Sequence, residues 1–276
     1  MYKIKNFETP RQFLDFNEEF IYSNTMQHIF LISVLDQVAK GNLKALQAFN
    51  IVGNDDVHLV VFVVDGYCLI YCNKYDSTFL EILSKALPFE RLTNFAFAGD
   101  KETIENLLIK KALPFKLEKH LTIYKCTKLN KEFKVVPGKM RLAASSELNY
   151  LANFNVDFSE EYDGKKITLA EMKIVVDSEI KEKSLQVWEN EKICAMAIEM
   201  HRSQIGFPEI GQLYVVPHER NKGYSSSLVY KLTEKILEHH PLCMLYTHGE
   251  NLAANRAFVK VGYLKTGDYA RIRINE

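Results

Sequence analysis

Apolar residues in the first half of the chain follow two different periods. Spacings of three and four residues over 10–23 and 28–49 predict two helices. Apolar runs at 58–64 and 67–72, on either side of Asp65-Gly66, predict a β-hairpin. The remaining pattern predicts a helix over 76–87, a strand over 92–98, a helix over 99–112 and a strand over 117–127. Helices and strands that alternate in this way are typical of an α/β domain.

The second half restarts after a polar stretch, 128–139, that contains Pro137-Gly138. Polar stretches with proline and glycine are typical of domain boundaries, so we predict domains over 1–133 and 134–276. Beyond the boundary the pattern predicts a strand over 140–144, helices over 145–161 and 166–181, and a hairpin of 185–188 with 193–200. It then predicts a strand over 210–216, a helix over 223–239, a strand over 242–247, a helix over 251–261 and a final strand over 269–274. The second domain is therefore also predicted to be α/β.

Composition narrows the class of protein. The chain has 276 residues and is 47% hydrophobic, which is enough for two cores. Its 35 Lys and Arg balance 35 Asp and Glu, so the charge indicates neither a nucleic-acid nor a membrane partner. The longest apolar run, 59–64, is too short to span a bilayer. Five scattered cysteines, and first residues that lack an apolar signal core, lead us to expect a reducing, cytoplasmic location.

Cysteine spacing does not predict a metal site. Cys68 and Cys72 share one face of a predicted strand, but at the rise of a strand they lie about 13 Å apart. We therefore expect them to be small buried side chains, and we predict no metal.

The stretch from Leu213 to Leu228 combines features of an anion site. A strand ends at Pro217, a short loop carries Arg220, Lys222 and Gly223, and a helix follows. A helix start offers unpaired backbone N–H groups and a partial positive charge. A glycine there lets an anion approach the backbone closely, so the loop could hold a phosphate. The alternative is an ordinary strand-to-helix turn with a solvated Arg and Lys.

The same stretch resembles motif A of the GNAT superfamily of N-acetyltransferases, in which a strand and Val-x-Pro-x-x-Arg lead into a glycine-rich helix start. The matching positions are Val215 or Val216, Pro217, Arg220 and Gly223. The sequence departs from the motif at Ser225, where the family has Gly or Ala, and at Asn221, where it often has Gly.

A second match lies downstream at the expected spacing. The segment Asn251-Leu-Ala-Ala-Asn255-Arg-Ala-Phe258-Val-Lys-Val-Gly262-Tyr263 is similar to the family's Asn-x-x-Ala-x-x-x-Tyr-x-x-x-Gly-Phe segment. On these two motifs, residues 134–276 resemble the acetyltransferase domain of GNAT proteins that carry an additional N-terminal domain.

The resemblance implies a mixed central sheet, flanked by helices, in which two neighbouring strands splay apart to admit the pantetheine arm of acetyl-CoA. Backbone groups of Leu213, Tyr214 and Val215 would pair with that arm. The implied pyrophosphate site is the loop and helix start formed by Arg220, Asn221, Lys222, Gly223, Tyr224 and Ser225. Asn251, Asn255 and Phe258 would border the arm from the other side.

The implied reaction is the direct attack of an amine on the acetyl thioester. An alkylammonium group, with a pKa of about 10, must lose a proton first, and a carboxylate could take it. Glu209 and Glu199 are the candidates, and the alternative for each is a solvated carboxylate at a strand end. The leaving thiolate also needs a proton, but Phe258 stands where the family often has Tyr. Tyr246 and Tyr263 are near in sequence, and either could instead belong to the core.

The first half could be a degenerate copy of the same fold. Its comparable strand-to-helix turn, Ala96–Thr103, places Asp100 and Glu102 at the helix start. Those acids would cap the helix and repel a pyrophosphate, so we expect no coenzyme there.

Two functions fit the sequence. The first is an enzyme that transfers an acetyl group from acetyl-CoA to an amine. The alternative is a non-catalytic acyl-CoA sensor, which Phe258 favours. Acceptor pockets are built from variable loops, so the sequence names neither the amine nor the oligomeric state.

Overall fold

The computed structural model describes residues 2–54, 56–201 and 206–275. Its strands are β1 (Lys3–Asn6), β2 (Ala45–Gly53), β3 (Asp56–Val64), β4 (Tyr67–Cys72), β5 (Ala96–Asp100), β6 (Phe115–Cys126), β7 (Lys139–Leu142), β8 (Leu185–Asn190), β9 (Lys192–His201), β10 (Pro208–Val215), β11 (Cys243–His248) and β12 (Leu264–Ile274). Its helices are α1 (Pro10–Ser23), α2 (Thr25–Ala39), α3 (Thr78–Ala86), α4 (Lys101–Lys110), α5 (Leu148–Asp163), α6 (Leu169–Lys181), α7 (Tyr224–Leu237) and α8 (Leu252–Val261).

The chain forms two compact units. Unit 1 comprises Met1–Ile123, His248–Glu250 and Thr266–Glu276, and unit 2 comprises Tyr124–Thr247 and Asn251–Lys265. No helix in the described part of the chain is both long and apolar enough to cross a membrane.

Unit 1 is a mixed sheet with helices on both faces. Its strands lie in the order β1-β2-β3-β4-β5-β12-β6, and the β4–β5 pair is parallel. Alternate residues of β2 and β3 face opposite sides, so Phe49 and Val61 pack with α3 and α4, whereas Ala48 and Phe62 pack with α1 and α2.

Unit 2 has the same layered arrangement. Its strands lie in the order β11-β10-β9-β8-β7, with β10 parallel to β11 and antiparallel to β9. One apolar cluster joins this sheet to α7 and α8, and it includes Leu228 and Val261. Another joins the opposite face to α5 and α6, and it includes Leu151 and Val176. The second half is therefore α/β with a mixed central sheet, as predicted.

The order of elements is the same in both halves: strand, two helices, three strands, helix, strand, helix, strand. The two halves differ in the length of their parallel strand pair, which is β4–β5 in the first half and β10–β11 in the second. β4 and β5 stay in register over four positions, from Tyr67–Ala96 to Ile70–Gly99. A Cβ atom at Gly99 would collide with the backbone oxygen of Ile70, so this glycine lets the two strands lie close together.

Three expectations are corrected. The predicted helix over 28–49 ends at Ala39, because the chain turns and 45–53 form β2, which pairs with β3. Strand β1 was not predicted, and its four residues are all exposed. The final strand begins at Leu264 rather than at 269.

The compact units also divide the chain differently from the predicted boundary at 133/134. Residues 124–133 lie in unit 2, where Asn130 N donates to Val261 O at 2.9 Å and the Phe133 ring stacks on Tyr230. Residues of β12 from Thr266 onward lie in unit 1, where they pair with β5.

Candidate functional site

Strands β10 and β11 separate soon after they pair. Within the described residues their parallel register covers only Glu209–Met244 and Ile210–Leu245. On its other edge β10 stays paired with β9 as far as Val215. The backbone of Leu213, Tyr214 and Val215 therefore has one edge held by β9 and the other edge directed into the opening. Such an edge can accept an extended ligand as an additional strand.

A β-bulge marks the start of this opening. Gly211 faces Ile198 of β9 and Tyr214 faces Met196, so two residues of β10 lie opposite the single residue Ala197. Gln212, inside the bulge, has a left-handed φ of 47°. Bulges turn the strand and aim side chains in new directions, and they are over-represented next to active sites.

Helix α7 begins without a side-chain cap. Gly223 is the N-cap residue, with φ 84°, and Asn221 has φ 64°. The first amide in this turn that bonds within the helix is Ser227 N, which donates to Gly223 O at 3.0 Å. The amides of Tyr224, Ser225 and Ser226 therefore have no partner within the helix, and a helix start of this kind can receive an anion.

The two basic residues of the loop are held by carboxylates. Arg220 donates two hydrogen bonds from one guanidinium nitrogen to Glu161 of α5, at 2.7 and 2.9 Å, and a third to Val215 O. Lys222 lies 2.8 Å from Glu219, whose buried carboxylate also pairs with Lys192. Hydrogen bonds from Lys222 and Lys192 lower the pKa of Glu219 to about 2. Arg220 and Lys222 are thus ion-paired, but their side chains remain exposed to solvent, so a phosphate would compete with or join these pairs.

Two neighbouring aromatic side chains, Tyr214 and Tyr224, are buried, and the guanidinium carbon of Arg220 lies 5.5 Å from the centre of the Tyr214 ring. The Tyr214 hydroxyl donates to Asp157 of α5 at 3.3 Å, and burial, followed by the nearby carboxylate, raises its pKa to about 12. The Tyr224 hydroxyl accepts a hydrogen bond from Asn190 at 2.8 Å. The hydroxyls of both residues are therefore bonded within the fold, whereas Ser225 is half-buried in the first turn of α7.

Helix α8 holds the second predicted segment. Asn251 caps it, because its Oδ1 accepts from Ala254 N at 3.0 Å. The Asn255 side chain accepts a hydrogen bond from the Tyr124 hydroxyl. Phe258 is 4% exposed and packs between the rings of Tyr124 and Tyr263. Asn251 therefore has a structural role as a cap, in addition to any contact with a ligand.

The two candidate carboxylates lie on opposite faces of the sheet. Glu199 faces Ile210 and pairs with Lys235 of α7 at 3.0 Å and with His201 at 3.0 Å. Burial tends to raise the pKa of Glu199, but these two partners lower it overall. Glu209 is 4% exposed and faces Met200, whose side chain packs on the α5–α6 side. Glu209 is thus buried rather than solvated.

The two candidate proton donors, Tyr246 and Tyr263, also lie in different surroundings. Tyr246 follows Leu245, the last residue of β11 in register with β10, so it lies where the opening begins. Alternation along β11 places it on the face of Met244 and Glu209. Tyr263 is fully buried, and its hydroxyl contacts Thr233 at 2.6 Å and donates to Cys243 Sγ at 3.2 Å. Burial raises the pKa of Tyr263 well above its usual value, so Tyr263 is a core residue.

Comparison with known proteins adds a fold to this geometry. Residues 187–272 match the family model described as FR47-like protein. The structure is similar to an acetyltransferase of the GNAT family from Colwellia psychrerythraea, with a TM-score of 0.58, 15% identity, and 99% of this chain and 100% of that chain covered. It is also similar to a GCN5-related N-acetyltransferase from Sphaerobacter thermophilus, with a TM-score of 0.56, 12% identity, and 99% and 95% covered.

This is a GNAT fold. No curated protein matches the chain in sequence. The GNAT fold confirms the predicted class and the separation of two neighbouring parallel strands. In the part of the chain that the structure describes, no group of three or more His, Cys, Asp or Glu side chains is arranged to hold a metal ion.

Sequence reasoning missed one polar pair in this GNAT fold. Glu179 of α6 is 8% exposed, and the Gln212 side chain hydrogen-bonds its carboxyl. Glu179 lies on an amphipathic helix among exposed carboxylates, and no local pattern distinguishes it from them. To predict the contact between Glu179 and Gln212 from the sequence, one would have to know that β10 contains a bulge, which places Gln212 against α6.

Proposed function

We propose that the protein is an acetyl-CoA-dependent N-acetyltransferase. The observation that carries the proposal is that β10 parts from β11 just before the uncapped start of α7. The open edge of β10 can receive the extended pantetheine arm, and the start of α7 can receive the pyrophosphate. Both come from one continuous segment, Gly211–Ser225, so a single ligand with an extended arm and a diphosphate fits them.

The proposed contacts divide between backbone and side chains. Backbone groups of Leu213, Tyr214 and Val215 pair with the arm. The pyrophosphate is bound by the amides and charges of the loop and first helical turn, which are Arg220, Asn221, Lys222, Gly223, Tyr224 and Ser225. Asn255 and Phe258, with the helix cap Asn251, border the arm.

Catalysis needs a proton acceptor for the incoming ammonium group. Of the two carboxylates that the sequence suggests, Glu209 suits this role better, because Glu199 is already ion-paired with Lys235 and His201. A neutral amine then attacks the thioester carbonyl, and a backbone N–H of β10 near Val215 polarises that carbonyl. Tyr246 is the proposed proton donor to the leaving thiolate, since it lies at the start of the opening.

The alternative is a non-catalytic acyl-CoA sensor. Phe258 favours it, because this residue has no hydroxyl to donate a proton at the position where the resemblance implies a tyrosine. All five cysteines are free thiols, which supports the proposal of a reducing, cytoplasmic location for either function.

A thiol-release assay with acetyl-CoA and a panel of primary amines tests the proposal, run beside calorimetric titration of coenzyme A. Binding together with amine-dependent release of coenzyme A is expected. Binding without transfer to any amine supports the sensor, and no binding at all contradicts both functions.

A further inference from the structure

A buried carboxyl lies against the bulge of β10. Glu179 is 8% exposed, and it receives a hydrogen bond from the Gln212 side chain. Among the described residues, neither Glu179 Oε2 nor Gln212 Oε1 has a hydrogen-bond partner, and both atoms are buried. An unsatisfied buried acceptor costs about 1–3 kcal/mol, and more if it is charged. Two such acceptors side by side therefore call for an explanation.

Both oxygens lie where the strands begin to separate. Gln212 is two residues beyond Ile210, the last residue of β10 in register with β11. The pair lies on the α5–α6 face of the sheet, because Glu179 is on α6 and a Cβ atom at Gly211 would meet Met200 and Ile198, which pack on that side. Glu199, which pairs with α7, lies on the opposite face.

Hydrogen bonds at both ends of helix α6 fix the helix that carries the Glu179 carboxyl. Thr168 and Glu171 form a reciprocal cap, in which Glu171 N donates to Thr168 Oγ1 at 3.3 Å and Thr168 N donates to Glu171 Oε2 at 3.0 Å. At the other end Ser184 N and Oγ both donate to Glu179 O, at 3.0 and 3.1 Å.

We propose that Glu179 and Gln212 form the binding site for the ammonium group of a primary amine acceptor, and that Glu179 takes its first proton. A primary ammonium has three N–H donors, and two of them would satisfy Glu179 Oε2 and Gln212 Oε1. The inference rests on the proposed function, and it assigns to Glu179 a role for which Glu209 is the alternative.

The proton balance is simple. The Glu179 carboxylate takes one proton from the ammonium, which leaves a neutral amine and a carboxylic acid. The amine lone pair then forms the C–N bond, and the C–S bond breaks with its electron pair on sulfur. The second nitrogen proton is lost from the new amide nitrogen as the thiol of coenzyme A gains one. Glu179 finally releases its proton to solvent.

The acidity of Glu179 suits this exchange. Burial raises the pKa of Glu179 to about 7, the Gln212 hydrogen bond opposes the rise, and the nearby Glu182 adds to it. Other titratable groups on the elements of this face are Asp157 on α5, Glu209 and Tyr214 on β10, and Tyr246 on β11. A group with a pKa near the working pH can both accept and release a proton.

The test compares Glu179→Gln with Glu209→Gln and with Glu182→Gln, an exposed carboxylate on the same helix end, from pH 5.5 to 9. The amine is the best substrate from the panel. We expect kcat/KM of the unaltered protein to rise to a plateau with an apparent pKa of about 7. Glu179→Gln should lose this rise and about 100-fold in rate at pH 8, with unchanged affinity for coenzyme A. Glu182→Gln should keep the rate and the rise, with the rise moved to slightly lower pH because Glu182 adds to the pKa of Glu179. A Glu179→Gln profile like that of Glu182→Gln, or loss of the rise in Glu209→Gln alone, would overturn the inference.

A binding measurement separates this inference from the proposed function. n-Butylammonium is titrated calorimetrically into the complex with coenzyme A, where no transfer can occur. Binding that weakens at least tenfold in Glu179→Gln, and partially in Glu179→Asp, supports the site even if no amine is acetylated. Equal binding by all variants, or none, overturns the site even if the protein is an active acetyltransferase.

Discussion

The Tyr124 hydroxyl donates a hydrogen bond of 2.9 Å to Oδ1 of Asn255, one helical turn before Phe258. The Tyr124 ring also meets the Phe258 ring edge to face, with centroids 6.1 Å apart. Position 258 is thus enclosed by a ring that already carries a hydroxyl, and Phe258 itself contributes only apolar contact. The missing hydroxyl of Phe258 is therefore the sharpest difference between this chain and the motif that it resembles.

Phe258→Tyr restores that hydroxyl. We expect a faster chemical step, by about tenfold or more, because the new hydroxyl would be a second donor in addition to Tyr246, and general acid help is typically worth about 10²–10⁴-fold. Affinity for coenzyme A should be nearly unchanged. Single-turnover transfer of the acetyl group measures the effect. The control is Tyr263→Phe, which removes a buried hydroxyl bonded to Thr233 and Cys243 and should cost about 1 kcal/mol of stability without changing the rate. An unchanged rate in an active Phe258→Tyr variant would mean that Tyr246, the proposed donor, already supplies the proton without help from position 258.

Glu179→Gln should change stability with pH in a definite direction. The pKa of this carboxyl is about 7 in the folded protein, against an ordinary value of 4.5 in the unfolded chain. Stability from the protonated carboxyl is fully present below pH 4.5 and is lost as the pH rises through 7, since the unfolded chain ionises first. At pH 8 the variant should therefore be more stable than the unaltered protein by about 3 kcal/mol, since one pKa unit corresponds to about 1.4 kcal/mol, and at pH 5 by less than about 1 kcal/mol.

Urea unfolding at the two pH values measures this difference, and Glu182→Gln is the matched control. A Glu179→Gln variant that is less stable at pH 8 would show that the ionised carboxylate is well satisfied in the fold. The inference that Glu179 Oε2 lacks a hydrogen-bond donor in the fold would then be wrong.

Asp100→Ala tests the assignment of the two halves. Asp100 caps α4 by accepting from Thr103 N at 2.9 Å, and β4 remains paired with β5 beside it. Removal of the cap should cost about 1 kcal/mol of stability, measurable by thermal unfolding. Calorimetry should show the same affinity for coenzyme A as before. A large loss of affinity would mean that unit 1 binds the coenzyme.

Local signals in the sequence were sufficient where short segments decide the structure. The turn at Pro217 and the helix from Gly223 depend on a few neighbouring residues, and they were predicted correctly. The stretch 40–49 was predicted as helix because its apolar spacing fits one, but it becomes β2 through pairing with β3, a partner that follows it in the chain.

Contacts between distant residues account for what sequence reasoning missed. Arg220 is bound by Glu161, 59 positions away, and no spacing rule links the two. Glu179 is buried and hydrogen-bonds Gln212, a residue in the bulge of β10 that is distant in the chain. Strand β12 pairs with β5, more than 160 positions earlier, so the compact units could not be read from the polar stretch at 128–139.

The central claim is that the start of α7 binds the pyrophosphate of coenzyme A, and Ser225 allows a clean test. A residue at Gly223 would have to adopt φ 84°, and its Cβ would lie 3.0 Å from Val136 Cγ1, so substitutions there strain the backbone. Ser225 lies within the helix, where an aspartate stabilises the N-terminus but repels a diphosphate. Two unit charges about 5 Å apart at an effective dielectric of about 20 repel by about 3 kcal/mol.

The decisive measurement is calorimetric titration of coenzyme A into Ser225→Asp and its neutral counterpart Ser225→Asn, with thermal unfolding of both. We expect Ser225→Asp to unfold at the same or a higher temperature and to bind coenzyme A about 100-fold more weakly than Ser225→Asn. Equal affinity of the two variants for coenzyme A would contradict the account.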